Sequence, residues 1–462
     1  MGPSINSPEM IGRVLEAGVD VFRLNFSHGN LDDHRRCINW IRSSEIKVGK
    51  SVAILQDLPG PKIRIGKFKK GNIRLEAGEF FTLTTDPVLG DCKKVSVNYP
   101  NLPDEVSPSQ RLLLADGLIE LIIENIKSSN IVCRVVLGGI LSDHKGVTVP
   151  RGASGIPAFT EEDQEFLLEG LKMGIDMAAL SFVRNSGDLK AAQKLLLERN
   201  VKLPLMAKIE KPDAIDAIDG ILSVVDALML ARGDLGVEIP YQNVPLVQKD
   251  IIKKALGAGR PVITATQMLR SMVQSPRPTR AEAADVANAV LDGSDAVMLS
   301  EETAIGSYPV EAVQAMASII ETSEQRLFQQ QISRIEERYQ SSGVSGAISN
   351  AACLLALEAG AKAIVCCTRS GYTARMAARN RTKTPIIAVS PEIKTVRSLT
   401  LVWGVRPILS NEFSTTDGMI RSALEIAQEI GGCEKGDRVI IVGGSPTAGP
   451  GHTDFLRVGH IP

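Results

Sequence analysis

Leu203-Pro204-Leu205-Met206-Ala207-Lys208-Ile209-Glu210 is an apolar run that closes on a lysine and a carboxylate two residues apart. Residues at that spacing share one face of a β-strand, so the ammonium and the carboxylate point the same way. Asp213 to Asp219 then has helix character. A second apolar run, Val224 to Leu230, delivers Asp234 in the glycine-flanked turn Ala231-Arg232-Gly233-Asp234-Leu235-Gly236. Strand, polar end, helix, strand is the unit of parallel α/β structure. Taken alone, these charges are accounted for by a solvated Lys–Glu pair and an Asp helix cap. The rest of the chain decides between that reading and a site.

The same unit recurs on both sides. Upstream, Ser7-Pro8-Glu9 has the residues of a helix start. Strands are expected at Val19 to Phe26 and Ser51 to Gln56, with a helix from Leu31 to Ile46 between them. Downstream, strands at Ile175 to Phe182, Pro261 to Ala265 and Asp295 to Leu299 alternate with helices at Ser186 to Glu198, Tyr241 to Ala258 and Arg280 to Asp292. A long helix begins at Pro309 and runs to about Tyr339. Counting the runs gives seven strands, and a (β/α)8 (TIM) barrel has eight. The missing one is the first, expected just before Gly2, so Met1 reads as a truncated or misassigned start. Between Gly66 and Val149 the rhythm changes to short alternating runs of Val, Ile, Leu and Thr, the pattern of a small inserted β-barrel domain. Ser341 to Gly346 is Ser/Gly-rich and reads as a linker; beyond it helices alternate with strands at Ala363 to Cys367, Pro385 to Val389, Arg406 to Leu409 and Arg438 to Val442. The fold class is therefore α/β. Residues 1–66 and 148–340 form the barrel, 67–147 an inserted β lid, and 341–462 a separate doubly wound domain.

Composition narrows the function. A formal net charge of -1 gives no bulk electrostatic case for nucleic acid or a membrane surface. No apolar run approaches the roughly 20 residues of a membrane span, and the N-terminus lacks a signal-peptide pattern. The seven cysteines, Cys37, Cys92, Cys133, Cys353, Cys366, Cys367 and Cys433, are odd in number and have no CxxC spacing. They read as reduced thiols of a cytoplasmic protein.

In a (β/α) barrel the site lies at the C-terminal ends of the strands. The polar residues at those ends are Arg23, Asn25, Ser27, Asp57, Arg64, Ser181, Lys208, Glu210, Arg232, Asp234 and Thr266. A ring of both signs suits phosphate and divalent-cation chemistry. Magnesium takes one or two carboxylates and completes its shell with substrate oxygens, and phosphoryl transfer asks mainly for positioning and charge neutralisation. Glu210 and Asp234 are the candidate metal ligands, facing Lys208, Arg23 and Arg64.

At this point the chain resembles the pyruvate kinase family. The matching motifs are Arg23 to Gly29, Asp57 to Arg64, His144-Lys145-Gly146-Val147, Lys208-Ile209-Glu210, Ala231 to Glu238, Ala265-Thr266-Gln267-Met268-Leu269, Pro276 to Glu282 and Met298 to Ala304, in order along the chain. The resemblance implies phosphoryl transfer from phosphoenolpyruvate to ADP, giving pyruvate and ATP in the last step of glycolysis, usually by a homotetramer. It implies Glu210 and Asp234 as magnesium ligands, with manganese as an alternative. Lys208 would stabilise charge on the phosphoryl group and the enolate, and Arg23 would contact the substrate phosphate. The Gly233 and Asp234 amides would take the substrate carboxylate, and Thr266 would stand near the carbon that receives the proton. Asn25, His28, Arg64 and Lys145 would face the nucleotide.

Asn25, Ser27, Asp57 and the Leu58 carbonyl match the family's potassium site. Potassium-dependent members carry Thr, Glu and Thr where this chain has Leu58, Lys62 and Ile65. A lysine ammonium at position 62 supplies the charge that potassium otherwise brings, so potassium is expected to be dispensable. Gly444 to Gly449 has P-loop glycine spacing without the Lys and Ser/Thr that follow in a P-loop. It reads as a turn or, with Thr368-Arg369-Ser370-Gly371-Tyr372-Thr373, as the lining of a site for a phosphorylated effector. Arg232-Gly233-Asp234 as an adhesion tripeptide is coincidence, and the histidines show no metal-ligand spacing. Two rivals stand beside the kinase. One is a regulatory protein that lost turnover with its first strand, and the other is a barrel enzyme acting on phosphoenolpyruvate or a related keto acid.

Overall fold

The computed structural model describes residues 1–150, 152, 155–330, 343–444 and 452–462. Seven parallel strands pair in chain order: Val21–Asn25, Ala53–Asp57, Met177–Leu180, Leu205–Ile209, Ala227–Ala231, Val262–Ala265 and Ala296–Met298. Strict alternation sorts their side chains. Phe22, Leu24, Ile54, Ala178, Leu180, Ala207, Ile209, Leu228 and Leu230 face outward and are buried under the surrounding helices. Ala53, Leu55, Met177, Ala179, Met206, Ala227, Met229, Ile263 and Ala265 face inward and fill the centre. Small Ala alternating with Leu and Met lets side chains from curved neighbouring strands interdigitate, which makes the centre a packed core and not a pore. This is the expected TIM-type barrel wall.

The wall is open between Val21–Asn25 and Ala296–Met298, the two ends of the sheet. A cavity of about 1590 Å³ runs along that seam, lined by Val21, Arg23, Ile263 and Met298 among others. Met1 to Ser4 cross its upper end. The Met1 amine donates to the Arg23 carbonyl (3.0 Å) and the Ser4 amide to that of Ala304 (3.0 Å). Among the described residues no further strand fills the seam.

The inserted segment forms a sheet of six strands and a separate two-stranded ribbon, Asn72–Leu75 with Gly139–Ser142. The ends of the six-stranded sheet approach each other across Arg64 and Ile65, which bridge to Gly146 and Val97. Its interior is a separate apolar cluster including Phe81, Leu83, Leu112, Leu121 and Val135. The pairing is mostly antiparallel; Phe80–Thr84 with Lys94–Ser96 is parallel, and a single helical turn, Leu102–Glu105, interrupts the strands.

The C-terminal sheet runs Val405–Leu409, Ile386–Ser390, Ala363–Cys367, Arg438–Gly443 and Phe455–His460, the last strand antiparallel. Its first helix spans Gly343–Glu358, so Gly343 to Gly346 are helical and not linker. Gly346, Ser349, Ala352 and Ala356 form that helix's buried face, and their small side chains let it pack close. The helix from Pro309 is described to Gln330; the rest of its expected span, Ser341 and Ser342 lie outside the described residues.

This domain docks on the N-terminal end of the barrel strands, opposite the site. Leu401 enters the inner barrel cluster. Arg397 pairs with Glu45 (3.0 Å), and Asp176 takes the Arg42 guanidinium and the Ile54 amide (2.7 Å). Arg381, 2% exposed, pairs with Asp295 (3.0 Å) and donates to the Gly293 carbonyl (2.5 Å). The Trp403 indole donates to Glu324 (2.7 Å).

Candidate active site

The inward face that carries the barrel core continues upward into the site. Asp57 follows Ala53 and Leu55, Ser181 follows Met177 and Ala179, and Lys208 follows Met206, each two residues further along its chain. Arg23 follows Val21 in the same way. The register supports this, with Arg23 beside Leu55 and Lys208 beside Met229. A charged ring above this layer is the consequence of four neighbouring strands each exchanging an apolar inward residue for a polar one toward its C-terminal end.

Lys208 is the centre of the ring. Its Nζ lies 2.8 Å from Glu210 Oε1 and 3.3 Å from Asp57 Oδ1, and donates to Ser181 Oγ at 2.8 Å. Burial alone would pull its pKa down, but Asp57 and Glu210 outweigh burial and hold it well above the usual lysine value. Asp57 is the converse case. Burial would raise its carboxyl, and Lys208 and Arg23 together keep it below the ordinary aspartate value. Arg23 reaches Asp57 Oδ2 with both Nε and Nη2 at 2.6 Å. The remaining Glu210 oxygen accepts the Phe182 amide (2.8 Å), a residue held at φ 55°. The Ser181 hydroxyl donates in turn to the Leu58 carbonyl (2.7 Å). The approach of the 57–64 loop needs Gly60, which has φ +66° and whose added Cβ would stand 2.9 Å from Ser181 Cβ.

Asp234 closes the ring from the next strand. The sequence reading made Ala231 to Gly236 a turn; it is a short helix, Arg232–Glu238. The pKa of Asp234 is raised, first by burial and then by the nearby Glu210 charge, while Lys208 and Lys62 act in the opposite sense. Two carboxylates near enough to repel one another, in a layer that also holds a lysine and an arginine, form a donor set that fits a hard divalent cation sharing its shell with phosphate oxygens. Thr266 ends the following strand in a left-handed conformation (φ 72°), and its hydroxyl accepts the Gly233 amide at 2.7 Å. One of the two amides expected to receive a substrate carboxylate is thus engaged by Thr266 here.

Arg64 and Lys145 meet at the root of the lid. Arg64 donates to the His144 carbonyl (3.1 Å), and the Ile65 amide to that of Lys145 (2.9 Å). His28 and Ser27 lie exposed on the far rim, where Asn25 Oδ1 accepts the Ser27 amide (3.1 Å). Two features escaped the sequence reading. Asp285, which grips Arg232, lies three residues beyond the Pro276 to Glu282 motif. Asp116, in a lid turn with Ala115, Asp116 and Gly117 all at positive φ, is near enough to Asp234 to raise its pKa. An Asp-Gly pair in the lid was the available signal.

Comparison with known proteins identifies the family of both domains. Residues 1–313 match the pyruvate kinase barrel domain and residues 346–459 the pyruvate kinase alpha/beta domain. The chain is 42% identical to the pyruvate kinase of Clostridium acetobutylicum, over 99% of this chain and 97% of that one. It is 44% identical to pyruvate kinase 2 of a Synechocystis species, over 99% of this chain and 78% of that one. A crystal structure of a pyruvate kinase from Cryptosporidium parvum superposes with a TM-score of 0.94 at 34% identity, covering 100% of this chain and 95% of that one.

Proposed function

The chain belongs to the pyruvate kinase family, whose reaction moves the phosphoryl group of phosphoenolpyruvate to ADP, and from that premise we propose how its own residues divide the work. The observation that carries the reading is the buried Lys208 ammonium, held between Asp57 and Glu210 at the top of the barrel. Its charge is fixed before substrate arrives, so no reorganisation is needed as negative charge moves from the phosphoryl oxygens to the enolate. Arg23, oriented by Asp57, contacts the substrate phosphate. Glu210 and Asp234 would hold magnesium or manganese, which would supply positive charge to neutralise phosphate and enolate oxygens. The Asp234 amide receives the carboxylate at the start of a helix whose Gly233 amide holds the Thr266 hydroxyl, and Thr266 stands at the carbon to be protonated. Asn25, His28, Arg64 and Lys145 face the nucleotide, the last two from the hinge where the lid (67–147) meets the barrel (1–66 and 148–340).

Potassium is dispensable in this reading. The Asp57 oxygens already face Arg23 and Lys208, the Leu58 carbonyl takes the Ser181 hydroxyl, and Asn25 Oδ1 takes the Ser27 amide. Lys62 brings a further positive charge close enough to Asp234 to lower its pKa. Assays with potassium replaced by a large organic cation should keep most of the activity, and collapse would refute the point. The seven cysteines are free, in keeping with a reducing, cytoplasmic setting. Among the described residues no helix is long and apolar enough to cross a membrane. A homotetramer is proposed on family grounds, as is a phosphorylated effector at Thr368 to Thr373 of the C-terminal domain (341–462). Most of the Gly444 to Gly449 stretch expected to help line that site lies outside the described residues.

The test is steady-state formation of pyruvate from phosphoenolpyruvate and ADP with magnesium, compared with Lys208→Met. Activity that survives the substitution would overturn the role given to Lys208.

A further inference from the structure

Thr266 and Gln267 are consecutive non-glycine residues in the left-handed region, with φ 72° and 56°. For a β-branched residue that conformation is an outlier. It is strained and persists only where its surroundings over-determine it. What over-determines it here is one side chain. The Arg232 guanidinium donates from Nη2 to the Thr266 carbonyl (3.0 Å) and from Nε to the Ala265 carbonyl (3.4 Å). Those carbonyls belong to the two peptide planes on either side of the Thr266 Cα, so gripping both fixes its φ and ψ together. The guanidinium plane is in turn fixed by Asp285, which accepts from Nη1 and Nη2 at 2.7 Å each. Gln248 Oε1 (3.3 Å) and Met268 Sδ (2.7 Å) complete its surroundings. The next residue, Gly233, donates its amide to Thr266 Oγ1 at 2.7 Å, and that hydroxyl donates to the Ala265 carbonyl at 2.6 Å. Backbone and hydroxyl of Thr266 are therefore held from a single short segment. The other half of the site, Lys208 with Glu210 and Asp57, is fixed by its own ion pairs.

We propose that Arg232 and Asp285 are a positioning pair for the proton-transfer half of the reaction, aiming the Thr266 hydroxyl at the methylene carbon of the enolate without touching substrate. The proposal rests on the role given to Thr266 above. In that half-reaction the enolate C–O closes to a carbonyl and the C=C electron pair takes a proton to form the methyl C–H bond. The Thr266 O–H turns from the Ala265 carbonyl to the carbon, gives up its proton there, and is reprotonated from water. A planar two-pronged fork is required, because a lysine point charge cannot hold two carbonyls and a carboxylate in one plane.

The experiment follows the two halves separately in Asp285→Asn, Arg232→Lys and Thr266→Ala. Proton transfer is read as deuterium entry from D2O into the methyl group of pyruvate, with magnesium and ATP present, by NMR. Phosphoryl transfer is read as ATP formed from phosphoenolpyruvate and ADP. A misplacement of about 1 Å costs about a hundredfold. Deuterium entry should therefore fall about ten- to a hundredfold further than ATP formation in Asp285→Asn and Arg232→Lys, with KM for phosphoenolpyruvate within about twofold. Added guanidinium should restore exchange to Arg232→Ala. A merely structural pair would lower both halves in step, or neither, and that result overturns the proposal. If Thr266→Ala exchanges deuterium at the wild-type rate, the role of Thr266 is wrong and the proposal goes with it. If only Thr266→Ala loses exchange, that role stands and the positioning pair alone is refuted.

Discussion

Replacing Lys208 by Met keeps most of the apolar stem and deletes the ammonium, with its charge and its hydrogen bond to Ser181 Oγ. Glu210 and Asp57 are each 1% exposed and both face that charge. Removing one member of a buried ion pair costs about 3–5 kcal/mol. Asp57 keeps Arg23 at 2.6 Å, so the deficit falls mainly on Glu210, which among the described residues retains the Phe182 amide as its donor. A destabilisation of about 2–4 kcal/mol is expected, a fall of about 5–10 °C in melting temperature for the barrel. The pH dependence has a definite sign. Lys208 has a raised folded pKa, so its contribution is complete below the unfolded value and disappears only as pH rises through the folded one. At neutral pH the wild type has all of it and the variant none. The variant's deficit should shrink as acid protonates the orphaned carboxylates. Magnesium should recover more stability in the variant than in the wild type, because the cation then faces two carboxylates without a competing ammonium. Turnover should fall by about 10³ or more, the upper end for one preorganised electrostatic contact. Scanning calorimetry from pH 5 to 8, with and without magnesium, checks the first part and the coupled assay the second. A variant as stable as wild type in magnesium-free buffer would refute the reasoning about the buried triad.

Asp234→Asn should make the magnesium-free protein more stable at neutral pH, because a carboxyl whose folded pKa is raised stabilises only as pH falls through that value toward 3.8. The same variant should lose the rise in melting temperature that magnesium gives the wild type, about 2.7 kcal/mol at a hundred times Kd, as thermal denaturation will show. Lys62→Glu should make turnover more dependent on potassium than it is with Lys62 in place; unchanged rates in a large organic cation would refute the charge-replacement reading. Arg381→Met should cost about 3 kcal/mol by leaving Asp295 buried without its cation. Its loss should appear as a lower unfolding midpoint of the C-terminal domain contact with little change in KM, measurable by denaturant titration and steady-state kinetics.

Much of this was legible because the barrel wall obeys one rule of period two. Met206 and Lys208 share a face, as do Leu55 and Asp57, so a lysine and an aspartate at strand ends had to meet above the apolar layer. The helix boundaries at Ser186–Glu198 and Arg280–Asp292 were readable from their Asn and Thr caps. Arg232–Glu238 was not, since Gly233 and Gly236 argue for a turn. Tertiary contacts, with Arg232 on Asp285 and Gly233 on Thr266, override a glycine penalty of about 1 kcal/mol each. The Val224 strand likewise began late, at Ala227, because Ile218–Val224 is a helix packed on the wall through Ile218, Ile221 and Leu222. A run of apolar residues does not by itself distinguish a buried helix from a strand. Gly343 to Gly346 looked like linker by composition, yet small residues are what a closely packed helix face requires. Asp285 was invisible because its partner is far along the chain and its role is geometric.

The most direct test of the central claim is to assay the purified chain for ATP and pyruvate from phosphoenolpyruvate and ADP, with magnesium present and withheld, beside Lys208→Met. Equal amounts of ATP and pyruvate that require magnesium and are lost on replacing Lys208 are predicted. Folded protein that binds phosphoenolpyruvate and magnesium yet forms neither product, or forms both equally well without Lys208, would contradict the account.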